Sequence, residues 1–150
     1  VAMVERWREH PIFESRMHII DDALEAHLEG KYTLSVPALI LQIEGVMNEY
    51  VIANNLLEKL ENVHRVYGAI IGDPTDQSFS KWAIAETLLY QLKENLYSRT
   101  EFEDDLARPV NRRDTTRHTI AHGIMPGYHR ESNSLRALLL LDAVSGLTLS

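Results

Sequence analysis

The feature that most narrows what this chain can fold into is the spacing of its apolar residues. Trp82, Ala85, Leu89, Leu92 and Leu96 recur at intervals of three and four, a spacing that lines one face of a helix and that no strand can bury together. Ile12, Met17, Ile20, Leu24 and Leu28 approximate a second such stripe, and Ile40, Ile43, Met47 and Tyr50 a third. No apolar–polar alternation of period two runs long enough to argue a strand. The chain reads as all-α, an up-and-down bundle of four to five helices.

Punctuation residues divide the stripes. Pro11 suits the first turn of a helix over 12–29, and Gly30 suits the left-handed residue that closes it. Ser35 is placed to cap a second helix beginning near Pro37, which is apolar on nearly every side. Glu44 is the odd residue in that helix, and burial beside apolar neighbours demands a partner for its carboxylate. Gly45, next to it, costs roughly 1 kcal/mol relative to alanine in a helix interior, so it marks either the close approach of another backbone or a kink. Residues 54–71 continue this helix or restart it, and Gly72, Asp73 and Pro74 end it. Ser78 or Ser80 caps the helix over 82–96. Asn133 or Ser134 caps the last one, over 135–144, where the consecutive leucines 138–141 imply burial all round.

At 150 residues and 45% hydrophobic, the chain is the size of a single domain, 1–150, able to bury about two-thirds of its unfolded surface. Because it starts on Val1, a fragment of a longer polypeptide is an open reading. It contains no cysteine, which excludes disulfides and thiolate metal sites and fits a reducing compartment, with the cytoplasm as the expected location. The apolar tracts 36–43 and 135–141 fall short of the roughly 18 residues that suggest a span, so no membrane segment is expected. A net charge of −7 argues against nonspecific binding of nucleic acid by bulk attraction. Yet residues 108–130 hold five arginines against one acid, Asp114, a local basic patch on an acidic body. It suits a small anionic site, or else ordinary surface pairs with Glu101, Glu103, Asp104 and Asp105.

That basic stretch is also the most chemically loaded one. Residues 110–123 read VNRRDTTRHTIAHG, with Arg112, Arg113, Arg117 and His118 just ahead of His122. If Asp114 caps a helix here, Arg117, His118 and His122 fall within about two turns, His118 and His122 one above the other at i and i+4. Arg117 then lies about 140° round from His122, at roughly 100° per residue, so that both border one cleft without touching. His18, Asp22 and His27 form a looser constellation on the helix over 12–29, half a metal site without a third ligand and better read as a solvated or paired face.

The order Arg117-His118-Thr119-Ile120-Ala121-His122-Gly123 resembles the signature of the HEPN superfamily, an arginine, a polar residue, three residues and a histidine. Gly30-Lys31-Tyr32, the proline-led apolar helix with Gln42-Ile43-Glu44-Gly45, and Asn133-Ser134-Leu135 are similar to bacterial proteins with an N-R-H-x-x-x-H-G motif. Together these cover most of the chain from 11 to 144. The sequence departs from that subgroup at Thr116, where asparagine is usual, and at His118, where the polar residue is commonly asparagine. The resemblance implies a HEPN-like helical bundle that forms a homodimer with two motifs facing one another. It also implies metal-independent, cofactor-free cleavage of RNA, with toxin, phage-defence and housekeeping RNA-processing settings all open and an antitoxin-like or nucleotidyltransferase protein as the candidate partner.

The residues suit that chemistry. RNA carries its own nucleophile, the 2′-hydroxyl, so His122 can take that proton while Arg117 holds the phosphate and stabilises its charge in the transition state. The leaving 5′-oxygen takes a proton from His118 or from the other subunit's motif, and the product ends in a 2′,3′-cyclic phosphate. Arg112 and Arg113 are placed to bind the RNA, and Glu44 to support Arg117 or a motif histidine. Two other classes stay open: a noncatalytic helical dimerisation or binding module in which Arg117 and His122 pin helices to Glu44, and a metal-dependent hydrolase using His118, His122, His129 and Glu44.

Overall fold

The computed structural model describes residues 2–57, 63–71, 117–121 and 126–148. Among these the secondary structure is entirely helical: α1 (Ala2–Glu9), α2 (Pro11–Glu14), α3 (Met17–Leu28), α4 (Tyr32–Ala53), α5 (Val63–Ile71), α6 (Arg117–Ala121), a 3₁₀ turn (Pro126–Tyr128) and α7 (Glu131–Thr148). The expected all-α class holds. The stripe over 82–96, its serine caps and the acidic stretch 101–105 lie outside the described residues.

α4 is the central helix. Val36, Leu39, Ile40, Ile43, Val46, Met47 and Val51 are all buried on it, and α2, α3, α5, α6, the 3₁₀ turn and α7 each pack against it. By length and composition it is also the one helix among the described residues that is apolar enough to cross a membrane, a match that the short sequence tracts did not suggest. In this fold one side of it meets other helices, and Leu34, Leu41 and Ile52 stay exposed. α7 supplies Ala137, Leu138, Leu140, Leu141 and Val144 to the same core. Of the four consecutive leucines three are therefore buried within one chain, while Leu139 is 59% exposed; the inference of burial on every side is corrected at that position.

The helix ends follow local chemistry. Gly30, at φ +73°, lets its own N–H reach the His27 carbonyl at 3.0 Å and the Lys31 N–H reach that of Ala26 at 2.7 Å, the paired bonds of a Schellman cap. α4 ends the same way without a glycine. Asn55 takes φ +54°, and Asn55 and Leu56 donate to the carbonyls of Ile52 and Val51, both at 3.0 Å. Asparagine tolerates this region better than other non-glycine residues, so 54–71 is a stop and a restart.

Two expectations are corrected. The helix over 12–29 is broken at Ser15 and Arg16 into α2 and α3. Neither proline nor glycine marks the break; it lets Phe13 bury beneath Trp7, rings 5.8 Å apart, while Arg16 turns onto α4. And Gly45 faces neither a backbone nor a kink. The Arg16 guanidinium lies against it, donating from Nη2 to the Gly45 carbonyl at 3.2 Å and to Glu49 Oε2 at 2.8 Å, and from Nη1 to Gln42 Oε1 at 3.1 Å. A Cβ at position 45 would stand 2.8 Å from Arg16 Cζ and closer still to Nη1.

Helix propensity alone makes Gly45→Ala stabilising by about 1 kcal/mol. Displacing Arg16 from charge-assisted bonds, each worth about 1.5–3 kcal/mol before screening at this half-exposed site, opposes it. We expect Gly45→Ala to destabilise by about 1 kcal/mol in urea unfolding, and the sign to reverse in an Arg16→Ala background. The same sign in both backgrounds would show that Arg16 does not set the need for glycine.

Candidate functional site

Of the motif residues, the structure describes the backbone of Arg117 and His118, both in α6. Arg112, Arg113, the proposed cap Asp114 and His122 lie outside the described residues. α6 packs on α4, with Thr119 fully buried and engaged in a polar contact, Ile120 packed on the core and Ala121 exposed. The motif is thus helical where it is described, and one side of that helix is core.

The turn that follows the motif is tied to α4 by a device that the sequence half announces. Pro37 sits inside α4, not at its start, and has no N–H to give to the carbonyl four residues back, that of Thr33. The Tyr128 hydroxyl donates to that carbonyl at 3.2 Å. Tyr128 is itself held, its carbonyl accepting from Asn133 Nδ2 at 3.0 Å and from the Arg130 N–H at 2.8 Å. A carbonyl orphaned by proline in one helix therefore anchors the turn that follows the motif.

Glu44 lies on α4, half-buried, with a hydrogen-bond or charge partner. His129 is exposed and also partnered. On α3, His18 and Asp22 are exposed, and no group of three His, Asp or Glu side chains gathers among the described residues. His27 goes elsewhere: its Nδ1 is 2.9 Å from Ser134 Oγ, which lies 2.8 Å from Ser35 Oγ. Both serines are fully buried, so neither is the helix cap it was read as. α4 begins at Tyr32 and α7 at Glu131, each earlier than expected, and the two hydroxyls instead meet between the helices. A small side chain at each position is what lets the backbones approach closely enough for that bond.

Sequence reasoning passed over three polar pins. Arg16 bridges α3's start to α4, as above. Asp142 on α7 accepts from Arg6 Nη2 at 2.7 and 2.9 Å and from the buried Trp7 Nε1 at 3.2 Å. His10 joins α2 to the end of α7. A tryptophan and a histidine in a charged N-terminal segment were the available signals. No protein-family model, curated protein or solved structure gives a significant match to this chain.

Tyr128→Phe should cost about 0.5–1 kcal/mol, the net value of one hydrogen bond at a partly exposed site. In a Pro37→Ala background, where residue 37 supplies its own N–H to the Thr33 carbonyl, most of that cost should vanish. Equal costs in both backgrounds, measured by thermal unfolding, would break the link between the proline and the tyrosine.

Proposed function

We propose that the chain is a metal-independent endoribonuclease of HEPN type, acting as a homodimer through the 2′-hydroxyl of RNA. The observation that carries this reading is that the Arg117-His118 segment forms a helix docked on α4, the helix that bears Glu44. That supports a rigid mount for the motif, as a catalytic constellation requires. In the proposed reaction His122 removes the 2′-hydroxyl proton, the 2′-oxygen attacks phosphorus, and Arg117 stabilises the charge that develops on the phosphoryl oxygens. The bond to the 5′-oxygen breaks, and His118 or the partner subunit's motif supplies its proton. Arg112 and Arg113 bind the flanking phosphates, and Glu44 supports the arginine or a histidine.

The dimer draws support from Leu135 and Leu139, which stand one turn apart on α7 at 48% and 59% exposure, and a second subunit is a fitting cover for them. Light scattering at micromolar concentration should give twice the mass of one chain; a monomer would remove the composite site.

Purified protein should cleave single-stranded RNA in EDTA, leave DNA intact for want of a 2′-hydroxyl, and lose cleavage in both His122→Ala and Arg117→Ala without unfolding. Losing the imidazole removes proton transfer worth about 10²–10⁴ in rate, and losing the guanidinium removes charge stabilisation of several kcal/mol. His118→Ala should match His122→Ala if His118 protonates the leaving oxygen, and fall short of it if His118 only positions substrate. Cleavage that survives His122→Ala, or that EDTA abolishes, would overturn the proposal in favour of a helical interaction module or a metal enzyme respectively.

A further inference from the structure

Outside the motif, one buried titratable side chain among the described residues is engaged at both of its nitrogens. His10 is 3% exposed and is the single residue between α1 and α2. Its Nδ1 accepts the Ile12 N–H at 3.3 Å, capping α2. Its Nε2 is 2.9 Å from Thr148 Oγ1, on the last residue of α7, and its ring packs on Phe13 with centroids 5.1 Å apart. A ring nitrogen that accepts an N–H carries no proton, so the neutral ring holds its proton on Nε2 and donates it to Thr148 Oγ1. Thr148 passes its own proton on to the carbonyl of Val144 or Ser145, each 3.1 Å away. Every donor in this chain finds an acceptor only while the imidazole is uncharged.

We propose that His10 is an acid-operated clasp: protonation of its ring sets two donors face to face at the start of α2 and releases the α1–α2 pair from α4 and α7. What the clasp holds shut is apolar. Trp7 and Phe13 are both fully buried, and they are the rings that opening would bare to solvent.

Among the described residues no carboxylate contacts the His10 ring to receive the second proton's charge. On α1, Glu5, Arg6, Arg8 and Glu9 are all exposed, with Arg6 bound to Asp142 and Arg8 to Asp21 of α3. On α2, Glu14 is exposed. Asp142 is the sole charge in the second half of α7 from 138 onward, and it already holds Arg6 and Trp7. On α4, Glu49 is taken by Arg16 and Glu44 has its own partner. Consistent with this, burial pushes the His10 pKa below its usual 6.5. A histidine depressed in the folded state contributes its full stabilisation above about pH 6.5. That contribution is lost as pH falls from there toward the lower folded value, because the open form binds the proton first. The clasp therefore opens on the mildly acidic side of neutrality.

Hydrogen exchange on the whole chain at pH 7.5 and 5.5, expressed as protection factors so that intrinsic exchange cancels, tests this. Peptides spanning α1 and α2 should lose several-fold in protection at pH 5.5, with about tenfold the ceiling for one proton bound only by the open form at that pH, while α4 and the middle of α7 keep theirs. His10→Asn, which retains a short acceptor for the first turn of α2 and cannot charge, should show equal α1–α2 protection at both values. In the unaltered protein, the ring-proton titration of His10 followed by NMR should track the loss of α1 protection. Protection in α1–α2 that ignores pH, that falls in step with α4, that still responds in His10→Asn, or that moves without His10 titrating would overturn the proposal.

Discussion

The structure depends on burying the core side of α4. Val36, Leu39, Ile40, Ile43, Val46, Met47 and Val51 are buried there, each worth about 1.5–3 kcal/mol of transfer free energy, while Leu34, Leu41 and Ile52 on the same helix stay exposed. Every described element except α1 packs against this helix. α1 is attached in turn through α2 and α7. Burial of this kind is nondirectional: it explains why the helices gather but not how each is rotated or staggered.

Rotation and stagger are set by the few polar groups that α4 carries into that setting. Ser35 meets Ser134 and, through it, His27, which ties α3, α4 and α7 at one level. Gln42, the Gly45 carbonyl and Glu49 all converge on Arg16. The Thr33 carbonyl, left over by Pro37, is answered by Tyr128. A slip of α4 against α7 would leave the buried Ser35 and Ser134 hydroxyls without each other, at a cost of about 1–3 kcal/mol, and would break the half-exposed contacts of Arg16 and Tyr128 as well. The polar pins thus convert a nonspecific collapse into a single arrangement.

That division matters for the motif. α6 is short, and five residues of helix have little stability of their own; its order comes from Thr119 and Ile120 docking against the core and from the anchored turn behind it. Whatever residues 117–121 do chemically, they do it from a helix held by tertiary contacts. The contacts also differ in kind: the turn behind the motif is held by a hydroxyl and a carbonyl, those of Tyr128 and Thr33, whereas the N-terminal attachment runs through the Arg6–Asp142 ion pair and His10.

From the sequence alone one could read whatever depends on neighbours within a turn or so. The three-and-four spacing determined the all-α class, Gly30 determined a helix end, the dense apolar run marked α4 as a core helix, and the cluster of arginines and histidines over 108–123 marked the candidate site. Asn55 was readable by the same logic, had its tolerance of positive φ been weighed as glycine's was. What only the tertiary structure decided is which partner each polar residue finds. Ser35 and Ser134 have the local look of caps, yet 99 residues apart in sequence they bond to each other. Gly45 looks like a notch for a backbone and receives Arg16, 29 residues away; His10 looks like one more residue in a charged segment and is bound to Thr148, 138 residues on. Helix periodicity is a property of residues three and four apart. Pairings across such separations exist only once packing has brought the helices together, and nothing in the local pattern encodes them.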